Sequence, residues 1–168
     1  MQRRLMGELR ELRKGKTDGV DDEGVWLRPR DDQLRQWVAF LLGPPDSPYQ
    51  DRVFELRVSV PERYPMRPPE MRFVTRVFHP NVHWQSGEIC LDILKEEWSP
   101  IWTLESACRA VRTLLAHPAA DSPLNCDAGN MLRAEDTAVF ESLAAMYATE
   151  LADTLPQHRS KITAMEDC

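Results

Sequence analysis

The chain has 168 residues, a net charge of −6, and 42% hydrophobic against 29% charged residues. That length suits one domain that buries a core without staples. The acidic balance excludes a nucleic-acid partner, because no region can neutralise a run of phosphates.

Residues 1–16 run against that balance, with Arg3, Arg4, Arg10, Arg13, Lys14 and Lys16 set against Glu8 and Glu11. A solvated helix face and a docking surface for an acidic partner are equally open readings. Leu5, Leu9 and Leu12 place one apolar stripe along this first helix, which Gly15 and the acidic residues 18–23 end. The opening residues lack the apolar core of a signal peptide, and no run approaches the ~18 apolar residues of a membrane span. A soluble protein in a reducing compartment is expected. Cys90, Cys108, Cys126 and Cys168 then remain free thiols, and with no CxxC pair neither a metal nor a cofactor is expected.

Short strands are expected at Val25–Arg28 and Trp37–Leu42. The clearest periodicity follows at Val53–Val60, where Phe54, Leu56, Val58 and Val60 alternate with Glu55, Arg57 and Ser59. Met71–Phe78 reads as a fourth strand. The connections are too short for crossover helices, so the strands form an antiparallel meander. Eleven of the 13 prolines lie between Pro44 and Pro123; proline removes a ladder donor, so this density predicts long ordered loops. Thr103 caps a helix that carries Leu104, Cys108, Val111 and Leu115 on one face and stops at His117-Pro118. A last helix starts near Asp136 and carries Phe140, Leu143, Tyr147 and Leu151. The order defines an α+β domain: a catalytic core at 1–155 and a polar tail at 156–168.

Chemistry concentrates in the irregular stretch 79–94, between strand and helix. A cysteine suits reversible acyl carriage, because sulfur attacks readily and leaves readily. Cys90 has two readings: such a nucleophile, or the small buried hydrophobe that most free cysteines are. Cys108 falls on a helix's apolar face and reads as core, whereas Cys168 ends a polar stretch and reads as exposed. Asn81 has two roles open to it, donating to the oxyanion of a transfer intermediate or bracing the loop through backbone bonds. A cysteine protease needs a histidine base at the sulfur. His79, His83, His117 and His158 carry no such signature, and His79 beside Pro80 reads as structural.

His79-Pro80-Asn81, then Gly87-Glu88-Ile89-Cys90-Leu91-Asp92-Ile93-Leu94 and Trp98-Ser99-Pro100, closely resemble the ubiquitin-conjugating enzyme family. The likeness runs from the first helix to about Leu151, and includes Ser47-Pro48-Tyr49, Tyr64-Pro65 and Ser122-Pro123-Leu124-Asn125. The resemblance implies an N-terminal helix, a four-stranded antiparallel sheet, a long active-site loop and C-terminal helices. It implies that Cys90 takes ubiquitin from an activating enzyme and that Asn81 supports transfer. It also implies that Arg3, Arg4, Met66, Ser99, Pro100 and Ile101 face the activating enzyme and a RING-type ligase. Tyr64 and Trp98 look structural. Conjugation of another ubiquitin-like modifier is one alternative. A non-catalytic ubiquitin-binding scaffold is another, against which the presence of Cys90 counts.

Two departures stand out. Asn81 and Cys90 lie nine positions apart, one more than is usual in the family, with Trp84 between them. At the acceptor gate an acid is usual before the proline, but here Ser122 stands there, with Asp121 before it. The spacing, Trp84 and Asp127-Ala128-Gly129-Asn130 look most like the peroxisomal branch of the family, the ubiquitin-conjugating peroxins of fungi. That likeness implies a cycling import receptor as acceptor, modified on a cysteine. It also implies a membrane-anchored partner that recruits the soluble enzyme to the cytosolic face of the peroxisome.

Overall fold

The alternation of residues 53–60 becomes the centre of an antiparallel sheet. A computed structural model of the chain describes residues 1–14, 24–30, 33–121 and 123–159. Helix α1 is Gln2–Lys14, and strands β1 (Val25–Arg30), β2 (Gln33–Leu42), β3 (Arg52–Ser59) and β4 (Glu70–Phe73) follow in meander order. Helices α2 (Leu104–Ala116), α3 (Cys126–Arg133) and α4 (Thr137–Leu151) come next, then a two-residue strand β5 (Asp153–Thr154). β5 adds a fifth strand to the four expected. It pairs with the start of β3, Arg52 opposite Thr154 and Val53 opposite Asp153.

Register decides which face is core. Ala39 sits opposite Leu27 and Leu56, and Trp37 opposite Val58. All of these are buried beneath α2, whose Leu104, Ala107, Cys108, Val111 and Leu115 form the facing stripe. Burying each large aliphatic here contributes about 1.5–3 kcal/mol. Thr103 caps α2 as expected, accepting from Ser106 N–H at 3.1 Å while the Ser106 hydroxyl accepts from Thr103 N–H at 2.8 Å. Cys108 is core; the expectation for Cys168 lies outside the described residues, as do the residues 15–23 expected to end α1.

The opposite face of the sheet carries the cross-strand pair Trp26 and Phe40. Residues 155–159 form a helical turn whose His158 ring lies 4.2 Å from that of Phe40 and 6.0 Å from that of Trp26. This contact explains why an outward-facing tryptophan is buried.

Three expectations need correction. The strand expected over Met71–Phe78 stops at Phe73. Beyond it both Val74 and Thr75 donate to the single carbonyl of Glu55, and the Thr75 hydroxyl accepts from Glu55 N–H, which ends the ladder. α3 was not expected at all; Asn125 caps it, its side-chain oxygen accepting from Ala128 N–H at 3.3 Å. Leu151 is exposed, because the inward row of α4 is Phe140, Ala144 and Ala148. Leu143 and Tyr147 pack at its margin.

Candidate active site

His79 begins the site loop with both ring nitrogens engaged. Nδ1 accepts from Asn81 N–H at 3.1 Å, so Nε2 carries the proton and donates to the Leu114 carbonyl at 3.0 Å. The ring is 0% exposed, and burial pushes its pKa down to about 4, against the smaller opposing effect of the Leu114 bond. His79 is therefore neutral, and it is a structural post between the loop and α2. Pro80 adds a second anchor, its carbonyl accepting from Leu124 N–H at 2.8 Å and Asn125 N–H at 3.0 Å.

Asn81 is the third anchor and is 3% exposed. Its Nδ2 donates to the Ala119 carbonyl at 2.8 Å, and its Oδ1 accepts from Ala119 N–H at 2.8 Å. Its own carbonyl accepts from Cys90 N–H at 2.9 Å. One residue thus ties together the sulfur-bearing residue, through its backbone, and the segment leading to Asp121, through its side chain.

Between Asn81 and Cys90 the nine-position spacing folds into a hairpin. Val82 bridges Ile89, His83 N–H donates to Glu88 at 2.9 Å, and Gly87 N–H donates to His83 at 2.9 Å. Gly87 has φ of 67°, and a Cβ there would come within 1.9 Å of the Phe73 carbonyl oxygen. Only glycine lets this hairpin join the edge of β4, where Phe73 N–H donates to the Gly87 carbonyl at 2.9 Å. Trp84, at the tip, rests 5.0 Å from the Tyr147 ring, with Phe78 at 6.3 Å and Arg76 over its face at 5.8 Å. The longer spacing thereby fastens the site loop to α4.

Cys90 leaves this hairpin as a half-buried residue. Lys95 Nζ approaches Sγ at 3.8 Å. No described histidine hydrogen-bonds the sulfur; His83 Nδ1 accepts from Ser86 N–H and His117 Nδ1 meets the Thr113 carbonyl. A protease-like cysteine–histidine couple is thus missing among the described residues. Cys126 is exposed on α3, and Cys108 is buried.

The gate segment is held from two sides. Asn81 grips Ala119, and Arg133 Nη1 donates to the Ala120 carbonyl at 2.9 Å while its Nη2 donates to Asn130 Oδ1 at 2.6 Å. Gly129 lets Pro123 lie against α3, since a Cβ would meet Pro123 at 2.6 Å. Asp121 is exposed beyond these anchors. Ser122 lies outside the described residues.

The expected partner face turns on Glu8, which the sequence reading counted only as charge. Its carboxylate is buried and accepts from Arg4 Nε, from Tyr64 O–H at 2.7 Å and from Leu104 N–H at 2.9 Å. Arg4 also donates to the Trp102 carbonyl at 2.8 Å, and Trp98 Nε1 donates to the Pro65 carbonyl at 2.7 Å. The hydrogen bond to Glu8 holds the Arg4 guanidinium above its ordinary pKa. Burial, then Glu8, pushes the Tyr64 phenol up. This network brings the Met66 and Ile101 loops to one end of α1. Met66 is 71% and Ile101 83% exposed. Arg3 and Pro100 are exposed and Ser99 half-buried, whereas Arg4 is committed to the network. The signal for Glu8 was its place at i+3 between Leu5 and Leu12, a carboxylate on an apolar stripe.

His79 makes stability pH-dependent. Its folded pKa of about 4 lies below the ordinary histidine value of 6.5, so the unfolded chain binds the extra proton first. Stability is present above pH 6.5 and falls as pH drops toward 4, by up to about 3 kcal/mol. His79→Gln is expected to flatten that slope in urea titrations between pH 7 and 4. An equal slope in the variant would remove His79 as its source.

The site is thus a hairpin-borne, half-buried cysteine braced by an HPN turn and flanked by a pinned gate segment. The model of the ubiquitin-conjugating enzyme family matches residues 4–148. The chain belongs to that family and is a ubiquitin-conjugating enzyme. Among particular relatives it is 52% identical over 149 residues to Protein PEROXIN-4 of Arabidopsis thaliana, covering 89% of this chain and 92% of the relative. It is 51% identical over 148 residues to ubiquitin-conjugating enzyme E2 pex4 of Dictyostelium discoideum, covering 88% and 96%. It matches the structure of the H. polymorpha ubiquitin conjugating enzyme Pex4p in complex with the soluble domain of Pex22p at TM-score 0.85 and 36% identity. That match covers 90% of this chain and 97% of that one.

Proposed function

We propose that Cys90 accepts ubiquitin from an activating enzyme as a thioester and passes it to a protein acceptor, a cycling peroxisomal import receptor. The observation that carries the reading is the half-buried Cys90 at the end of a braced hairpin, tied through Asn81 to the gate segment. Asn81 braces that geometry. Its second amide N–H, not engaged by Ala119, is the donor for the oxyanion formed during transfer. Asp121 receives the proton that an attacking lysine must lose, and Ser122 beside it at the gate carries no charge for that role.

Arg3, Met66, Ser99, Pro100 and Ile101 form the face for the activating enzyme and a RING-type ligase, with Arg4 holding their loop against α1. The catalytic core is 1–155, and residues 156–159 pack on its outer sheet face. A membrane-anchored protein recruits the enzyme to the cytosolic side of the peroxisome; the H. polymorpha relative crystallised with Pex22p supports this. No described helix is long and apolar enough to cross a membrane, which fits recruitment by a partner.

With activating enzyme, ATP and ubiquitin, the wild type is expected to form an adduct that thiol reductant removes. Cys90→Ser should give a reductant-resistant ester, and Cys90→Ala none. Normal charging of Cys90→Ala would overturn the assignment. Asp121→Ala is expected to slow discharge to free lysine at least ~10-fold more than discharge to a small thiol, whose lower pKa makes it less dependent on a base. Equal slowing with both acceptors removes that role from Asp121.

A further inference from the structure

The backbone that leads to Asp121 is held group by group. Asn81 engages both the N–H and the carbonyl of Ala119, and Arg133 Nη1 donates to the Ala120 carbonyl at 2.9 Å. Beyond Asp121, Pro123 lies against Gly129, and Leu124 N–H and Asn125 N–H donate to the Pro80 carbonyl at 2.8 and 3.0 Å. With Pro123 beside Gly129 and Ala120 beside Arg133, one helical turn further on, the gate runs antiparallel along α3. Arg133 is fixed in its turn. Its Nη2 donates to Asn130 Oδ1 at 2.6 Å, so the planar guanidinium spans two acceptors. The residue is exposed and takes no place in the hydrophobic core. Among the described residues it forms no ion pair with Asp121, so it holds the backbone beside that carboxylate without neutralising it.

We infer that Arg133 is a positioning residue for the acceptor gate: its guanidinium sets the Asp121 carboxylate for an attacking lysine, and so decides how well the site discharges to an amine. The inference rests on Asp121 taking a proton from that lysine. In the step, the lysine ammonium gives one proton to the carboxylate, its nitrogen bonds the thioester carbonyl carbon, and the C–S bond breaks. A second proton leaves the nitrogen with the departing sulfur. The products are an amide, the Cys90 thiol and a protonated Asp121. Arg133 touches none of the reacting atoms. It holds the Ala120 carbonyl, which fixes the peptide plane joining Ala120 to Asp121 and hence the direction in which the carboxylate is presented. Lysine is a poor replacement, because one ammonium lacks the fork that spans Ala120 and Asn130 together.

The test is single-turnover discharge of the ubiquitin thioester to free lysine and to a small thiol, in Arg133→Ala, Asp121→Ala and the double variant. Arg133→Ala is expected to slow lysine discharge at least ~5-fold more than thiol discharge. Arg133→Lys should recover less than half of that loss. In the Asp121→Ala background, Arg133→Ala should add less than ~2-fold, since the guanidinium acts through that carboxylate. Raising the pH from about 7 to about 9 should narrow the lysine defect, because more of the acceptor amine is then already deprotonated. An Arg133 that only supports the fold would slow both acceptors alike, multiply the Asp121→Ala defect and leave it insensitive to pH. Any one of those results overturns the inference. Selectivity in Asp121→Ala with none in Arg133→Ala overturns it alone, whereas no selectivity in Asp121→Ala overturns the reading of Asp121 as well.

Discussion

Asn81→Ala is expected to lower single-turnover discharge about 100-fold while lowering the melting temperature by only a few degrees. The structural loss is two hydrogen bonds to Ala119. Ala119 is exposed, so water replaces the missing partner and each bond costs nearer the ~0.5–1.5 kcal/mol net value than a full desolvation penalty. The chemical loss is larger. Cys90 and the gate segment share Asn81 as a common anchor, and a loosening of about 1 Å in that geometry is enough for a 100-fold effect. Removing an oxyanion donor accounts for a similar factor. Asn81→Asp still accepts from Ala119 N–H but sets its second carboxylate oxygen against the Ala119 carbonyl and cannot donate, so it should recover neither stability nor rate. Wild-type discharge in Asn81→Ala would contradict both roles.

Glu8→Ala is expected to destabilise the fold by about 3–5 kcal/mol, the usual consequence of removing one partner from a buried charged network. It strands Tyr64 O–H, Leu104 N–H and Arg4 together. Arg4 is a third exposed, so its share is discounted for solvent and the lower end applies. At roughly 2–4 °C per kcal/mol for a domain of this size, the melting temperature should drop by about 6–12 °C. Glu8→Gln keeps the volume and one acceptor, and should lose less than half as much. Thermal denaturation of the three proteins checks both values; a Glu8→Ala protein melting within about 2 °C of wild type would contradict the network's importance. The same substitution loosens the Met66 and Ile101 loops, so ligase-stimulated discharge should fall more steeply than unstimulated discharge.

The sheet was legible because one-sided burial imposes a period of two, and residues 53–60 obey it strictly. α2 was legible from its cap, its apolar face and its terminating proline. α3 was not, because Cys126–Arg133 carries Gly129, a poor helix former, and lasts only two turns. That glycine is there for Pro123, a tertiary demand invisible to local propensity. β4 read too long because Val77 and Phe78 are buried without being strand, Phe78 against Trp84 of the site hairpin.

At the site, His79, Asn81 and Cys90 were legible by pattern, and their neighbours were not. Arg133 reaches Ala120 across 13 positions and Glu8 reaches Leu104 across 96. Such pairs join segments that only the fold brings together. Residue chemistry left Asn81 between brace and donor; its two bonds to Ala119 supply the brace.

The central claim is that the cargo sits on one sulfur, and another cysteine, the exposed Cys126, makes a direct comparison available. The enzyme is charged with ubiquitin, quenched in acid, alkylated and digested, and the modification of each cysteine is quantified by mass spectrometry. The account predicts that Cys126 is alkylated in charged and uncharged samples alike, while Cys90 is protected in proportion to the charged fraction and is released by reductant. Protection of Cys126 with free alkylation of Cys90 would contradict it.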